Sequence, residues 1–220
     1  MGYSLVFGDL LPYWDVLLHG LIFTIVLTLV STVAGIGLGT LGASGRTFGP
    51  RWLDFLIGAY VEVIRNTPFI VQLFFLFFGL PSLGVKLSPE AASVLAMVVN
   101  LGGYAAEIVR AGIEGTPRGQ LEAARSLALD EWQVFTRVVL APALARVWPA
   151  MVSQIVIVML GSAVCGQISA QELSYQANLI QSRNFRAFES FIVATLVYLA
   201  LSVLVRQALH WAGRRLFFAR

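Results

Sequence analysis

Five long apolar stretches, separated by short polar ones, dominate this sequence. They run at about 17–43, 55–80, 90–112, 147–168 and 188–212. Each is long enough to cross a hydrocarbon layer of about 30 Å as a helix, which takes roughly 20 residues. In lipid, backbone polar groups must be satisfied within a helix or a closed barrel. Barrel strands alternate apolar and polar residues, and that alternation is missing here. The chain is therefore expected to be an all-α integral membrane protein with five transmembrane helices in a single domain over 1–220. Composition closes the other routes. Of 220 residues, 58% are hydrophobic and 12% charged, against roughly 25% charged in soluble domains. That excludes a soluble enzyme, a disordered chain and a nucleic-acid-binding module, since the net charge of +3 is scattered among apolar stretches and makes no basic patch. Cys165 is the single cysteine, so no disulfide framework is expected, and His and Cys are too few for a metal site. No cleavable signal peptide is expected either: the start carries Asp9 and Asp15 and no basic region.

Five spans put the termini on opposite sides, and basic residues decide which side is which. With the N-terminus outside, the cytoplasmic side holds Arg46, Arg51, Arg110, Arg118, Arg125, Arg137, Arg146, Arg206, Arg214, Arg215 and Arg220. The outer side then holds Lys86, Arg183 and Arg186. The C-terminus is accordingly expected to be cytoplasmic, and 113–146 becomes the one long cytoplasmic segment, too short for a catalytic domain and long enough to dock a partner.

Several motif matches fail on context. Gly37-Leu38-Gly39-Thr40-Leu41-Gly42 spells GxGxxG but lies inside the first span with no strand before it, and Gly35 and Gly39, four apart, suit close helix packing instead. Gly42-Ala43-Ser44-Gly45 matches an intramembrane serine protease pattern. Of the two histidines, His19 lies about 37 Å along the helix from Ser44, and His210 is placed to sit at the interface beside Trp211. No GxxxxGK[ST] occurs, so the chain is not expected to hydrolyse nucleotide itself.

Ionisable groups inside spans carry more information, because charge in hydrocarbon is costly. Glu62 and Arg65 lie three apart, as do Glu107 and Arg110. Each pair either eases the burial of charge on its own helix or holds helices together across a gate. Pro68 should kink the second span. Near mid-depth, Asn100, Gln154 and Ser162 are uncharged polar groups, with Gly102, Gly103 and Gly161 leaving room around them. They serve either helix-to-helix hydrogen bonding or a substrate path, for which Asn100, Gly103 and Ser162 are the candidates.

The cytoplasmic segment reads as a turn at Gly115-Thr116-Pro117, a short helix from about Leu121, and a second short helix that Asp130 and Gln133 start as a capping box and that ends before Pro142. Leu121, Ala124, Leu127 and Ala128 form a small-residue apolar face, with Glu122 and Arg125 beside it. Such a face suits a partner's groove. A membrane-surface helix is the alternative, but Arg118, Arg125 and Arg137 only narrowly outnumber Asp130 and Glu131.

Three blocks carry a family resemblance. They are Tyr60-Val61-Glu62-Val63-Ile64-Arg65-Asn66-Thr67-Pro68 with Val71-Gln72-Leu73-Phe74-Phe75; Tyr104 through Ile113 leading into Pro117-Arg118-Gly119-Gln120-Leu121-Glu122-Ala123-Ala124; and Gln171-Glu172-Leu173 with Ile180 through Glu189. The chain resembles the permease subunits of bacterial ABC importers for polar amino acids such as histidine, glutamine, arginine or glutamate/aspartate. The resemblance implies that the second block is the EAA loop, a coupling helix that docks in a cytoplasmic ABC ATPase dimer through Gly119, Glu122, Ala123, Ala124, Leu127 and Ala128. ATP and Mg would sit on that ATPase, with no cofactor on this chain. It further implies a second permease copy or related subunit, a periplasmic amino acid-binding protein, the bacterial inner membrane and transport by alternating access. An ATP-independent amino acid carrier or channel is the alternative. Two departures stand out. Ala128 falls where the family usually has Gly, and Leu160-Gly161-Ser162-Ala163 replaces a Lys-Asp-Thr-Ser-like run, removing its charges.

Overall fold

The computed structural model describes residues 4–217, and every regular element among them is helical. Arg220, counted above for orientation, lies outside the described residues. The longest helix, α1 (Trp14–Phe48), has 35 residues and so reaches about 50 Å. Four of its hydroxyls are satisfied within the helix, Thr24, Thr28, Ser44 and Thr47 each donating to the carbonyl four residues earlier, while the Ser31 hydroxyl is buried without a partner among the described residues.

The register of α1 on α4 (Pro89–Glu114) fixes the topology. Gly35 faces Leu101, and Gly39 faces Ala105 and Ala106. Numbers rise together along both helices, so the two run parallel. A Cβ on Gly39 would stand 2.4 Å from the Ala105 Cβ and 2.8 Å from the Ala106 backbone nitrogen; nothing larger than glycine fits at this crossing.

Two parallel helices require the chain between them to return across the bundle. That task falls to α2 (Arg51–Arg65) and α3 (Phe69–Phe74), the latter continuing in wider and tighter turns to Leu83. The expectation of one kinked helix over 55–80 is corrected here. The arm from Arg51 to Arg65 and the arm from Phe69 to Leu83 meet at a bend of 111°. Pro68 lacks an N–H and drives the preceding residue out of helical geometry, and Pro68 itself is extended at φ −63 and ψ 140. The span is broken rather than bent.

α4 then runs antiparallel to α7 (Ala141–Gly161), with Gly112 beside Ala143 and Val147. α7 runs antiparallel to α9 (Ala187–Phe217): the Trp148 indole donates to the Leu209 carbonyl at 2.9 Å and packs on Gly213. Counting the broken span as one, the described residues hold five candidate membrane spans. α1 begins on one face, and α9 ends on the opposite face among the arginines.

A second correction concerns the arginine-rich face. The helix that starts after Asp130 does not end before Pro142. α6 (Glu131–Gln133) passes through wide turns at Val134–Leu140 into α7, giving one 38-residue rod from Glu131 to Ile168. A proline clashes with the carbonyl four residues before it in an α-helix; widening the preceding turns moves that carbonyl away. The remaining helices are α5 (Arg118–Ser126) on the arginine-rich face and α8 (Leu173–Asn184) on the opposite face, where Gln176 and Leu173 close over Gly20. Large apolar residues such as Val33, Phe55, Leu199 and Leu204 stay exposed on the outside, as a lipid-facing surface requires.

Candidate functional site

The break at Pro68 makes one wall of a cavity of about 380 Å³. Thr67, Pro68 and Phe69 line it from the break, Asn100 and Tyr104 from α4, and Gln154, Ile157, Val158 and Gly161 from α7, with Val164 just beyond. Gln72 braces this wall. Ile64 would normally receive the N–H of residue 68, which proline does not have. The Gln72 side-chain amide donates instead to the Ile64 carbonyl at 2.8 Å and to Thr67. Its oxygen accepts from the Asn100 amide at 2.9 Å, so the break is tied to α4.

Of the residues expected along a substrate path, Asn100 lines this cavity. Gly103 packs against Ile64 on α2, where a Cβ would meet it at 2.8 Å. Ser162 is fully buried, and its hydroxyl donates to the Met159 carbonyl at 2.6 Å. Gln72, Thr67 and Tyr104 stood in the sequence only within the blocks that carry the family resemblance, not among the substrate-path candidates. A glutamine inside an apolar run four residues after a proline was the available signal.

The two charge pairs differ. Among the described residues, Glu62 and Arg65 form no ion pair. Glu62 accepts from the Asn66 amide at 2.8 Å, and the Arg65 guanidinium lies over the Tyr104 ring at 5.9 Å. Glu107 does pair with Arg110, which also binds Glu114. Arg46 extends this chain of charges by bridging Asp54 at 3.0 Å and Glu107 at 3.1 Å, joining α1, α2 and α4 near the arginine-rich face. Ser44 spends its hydroxyl on the Thr40 carbonyl, in keeping with a packing role for that segment.

On the arginine-rich face, α5 turns its two sides to different neighbours. Ala124 is only 4% exposed and packs with Val134 and Val139 of its own chain. The outward side carries Glu122, Ala123 and Leu127, the last 76% exposed. The expected apolar face of Leu121, Ala124, Leu127 and Ala128 is therefore split: Ala124 belongs to the interior. The helix ends in a Schellman turn, in which Ala128 N–H donates to Arg125 and Leu129 N–H to Ala124. This turn puts Ala128 at φ 57, the left-handed region. Asp130 and Gln133 cap each other reciprocally to start the next helix. An alanine costs about 1 kcal/mol or more in that conformation relative to glycine. Ala128→Gly is therefore expected to stabilise the turn by about 1 kcal/mol, read as stronger hydrogen-exchange protection of 118–129 with unchanged behaviour elsewhere.

Comparison with known proteins matches this architecture. Residues 35–218 match the family described as binding-protein-dependent transport system inner membrane component. The chain is 31% identical over 216 residues to a probable glutamine ABC transporter permease protein, GlnM, of Bacillus subtilis, covering 98% of each chain. It is 30% identical over 207 residues to the glutamine transport system permease protein GlnP of Escherichia coli, covering 93% of this chain and 94% of the relative. Among solved structures, a crystal structure of an amino acid ABC transporter with histidines superposes with a TM-score of 0.88 at 31% identity, covering 97% of this chain and 100% of the other. A chain of the MetNI methionine ABC transporter in an inward-facing conformation shares the fold at a TM-score of 0.72 and 23% identity, covering 95% and 98%. Parallel α1 and α4, a broken second span and a helix exposed on the arginine-rich face thus occur in a chain that belongs to the family of inner-membrane components of binding-protein-dependent transport systems.

Proposed function

We propose that this multi-pass inner-membrane permease subunit serves an ATP-driven importer of a polar amino acid, working by alternating access. The observation that carries the reading is α5, a short helix whose outward side is left uncovered by its own chain while its inward side is locked to the rod that becomes α7. A cytoplasmic ABC ATPase dimer, holding ATP and Mg, would grip α5 through Glu122, Ala123 and Leu127. Its closure would then move α7, which lines the cavity. A second permease copy or related subunit completes the pathway, and a periplasmic binding protein delivers the amino acid. The excess of arginine where α1 ends supports a cytoplasmic location for that face. The amino acid class rests on the glutamine and cystine systems among the relatives. No feature of the chain favours an ATP-independent carrier.

The test is affinity purification of the tagged chain from native membranes in mild detergent. Copurification of a P-loop ATPase, one per permease, is the expected result. Recovery of this chain alone, with uptake that survives loss of the ATPase, would reject the coupling.

A further inference from the structure

The cavity beneath the broken span contains no charged side chain among the described residues that line it. Its polar groups are the Asn100 and Gln154 amides and the Thr67 and Tyr104 hydroxyls, and the rest is apolar. We infer that this site takes an amino acid whose side chain is uncharged, with Arg65 at its edge receiving the α-carboxylate. The inference rests on the importer reading above and narrows its substrate class.

The argument is one of desolvation. With Arg65 taken by the α-carboxylate, a charged side chain moved from water into this lining would meet no further opposite charge, and an unpaired ion in such a place is strongly disfavoured. Amides and hydroxyls both donate and accept, so they match a neutral amide, hydroxyl or thioether at little cost. The volume, about 380 Å³, lies at the low end of the roughly 300–1,000 Å³ usual for small-molecule pockets. The zwitterionic head still needs a cation. Arg65 lies over Tyr104, which lines the cavity, and it forms no ion pair among the described residues. Stacked on that ring and in no ion pair, the guanidinium keeps N–H donors suited to a carboxylate.

Gly161 gives the inference a reversible handle. A Cβ at this position would meet only Phe69, at 4.0 Å, so a side chain can enter the cavity without displacing backbone. Gly161→Asp places a carboxylate where the lining is now neutral.

The experiment measures equilibrium binding of glutamine, lysine and glutamate to the permease–ATPase complex in nanodiscs. The complex is prepared with wild-type chain, Gly161→Asp and Gly161→Asn. The expected wild-type result is glutamine binding with lysine and glutamate at least tenfold weaker. Gly161→Asp should bring lysine above glutamine, while the similarly sized Gly161→Asn leaves the wild-type order. Comparable binding of all three by the wild type, or a Gly161→Asp order identical to that of Gly161→Asn, overturns the neutral-site inference and leaves the importer reading standing. Failure of all three to bind, in a complex that also shows no amino acid-stimulated ATP hydrolysis, removes both.

Discussion

Leu127→Arg is expected to abolish transport while the protein reaches the membrane at its normal level. Leu127 is 76% exposed at the C-terminal end of α5, so its replacement costs the isolated chain little. In a partner's groove the same guanidinium would be buried without a counter-charge. A penalty of about 3 kcal/mol is ordinary for such a group, enough to weaken the complex by more than a hundredfold. Uptake should fall to background, and the ATPase should no longer copurify. Ala124→Arg provides the contrast. Ala124 is packed against Val134 and Val139, so arginine there forces open the chain's own interior, and the amount of folded protein should drop. Normal uptake by Leu127→Arg would sink the docking assignment. Equal losses of folded protein in both variants would show that α5 has no free side.

Much of this fold was legible because membrane helices obey few rules. Long apolar runs, the missing barrel alternation and the arginine asymmetry are properties of segments, and they survive without knowledge of any contact. The capping box at Asp130 and Gln133 was legible for the same reason: both its hydrogen bonds are local. What escaped depended on neighbours distant in sequence. Pro68 announced a disturbance, but not its size, because the 111° break is braced by Gln72, which supplies the donor that proline lacks and links to Asn100 on α4. Pro142 announced a helix end that never comes, because wide turns before it absorb the clash.

The site was legible to a similar depth. Asn100 was visible as a polar residue among glycines, and it lines the cavity. Gly103 looked like room for a substrate, yet the room is filled by Ile64. A glycine signals close approach without saying what approaches. The spacing of Glu62 and Arg65 fits a helical ion pair, but Asn66 and Tyr104 take these groups instead. Glu107 and Arg110, at the same spacing, do pair, and Arg46 reaches them from α1. Helical spacing permits a pair, and the third partner decides whether it forms.

The largest stability loss is expected from Glu172→Leu. Glu172 is fully buried at the start of α8, a costly place for a carboxylate unless its oxygens are fully used. Here they are. One oxygen accepts from the Tyr175 backbone N–H at 2.7 Å and from the Ser174 hydroxyl; the other accepts from the Ser174 N–H at 2.9 Å and from the Tyr198 hydroxyl on α9. Gly166 leaves space for the group, since a Cβ there would stand 2.7 Å from a Glu172 oxygen. The carboxylate therefore caps α8 and joins it to α9 and to the end of the 38-residue rod. Leucine orphans two backbone donors and the Tyr198 hydroxyl together, while the Ser174 hydroxyl turns to the Ala163 carbonyl at 2.9 Å; each orphaned donor is worth about 1–3 kcal/mol when buried, with incomplete additivity. A loss of about 3–5 kcal/mol is expected, read as a lower thermal midpoint of the purified protein in detergent. Glu172→Gln keeps one accepting oxygen but points an amide at two donors, so it should fall between. Tyr198→Phe removes a single donor and leaves the cap intact, so it should cost least, about 1–2 kcal/mol. The order of these three variants is the test. A Tyr198→Phe loss equal to that of Glu172→Leu would mean that the link to α9, and not the cap of α8, carries the stabilisation. An unchanged midpoint for Glu172→Leu would mean that the buried carboxylate contributes nothing net to stability.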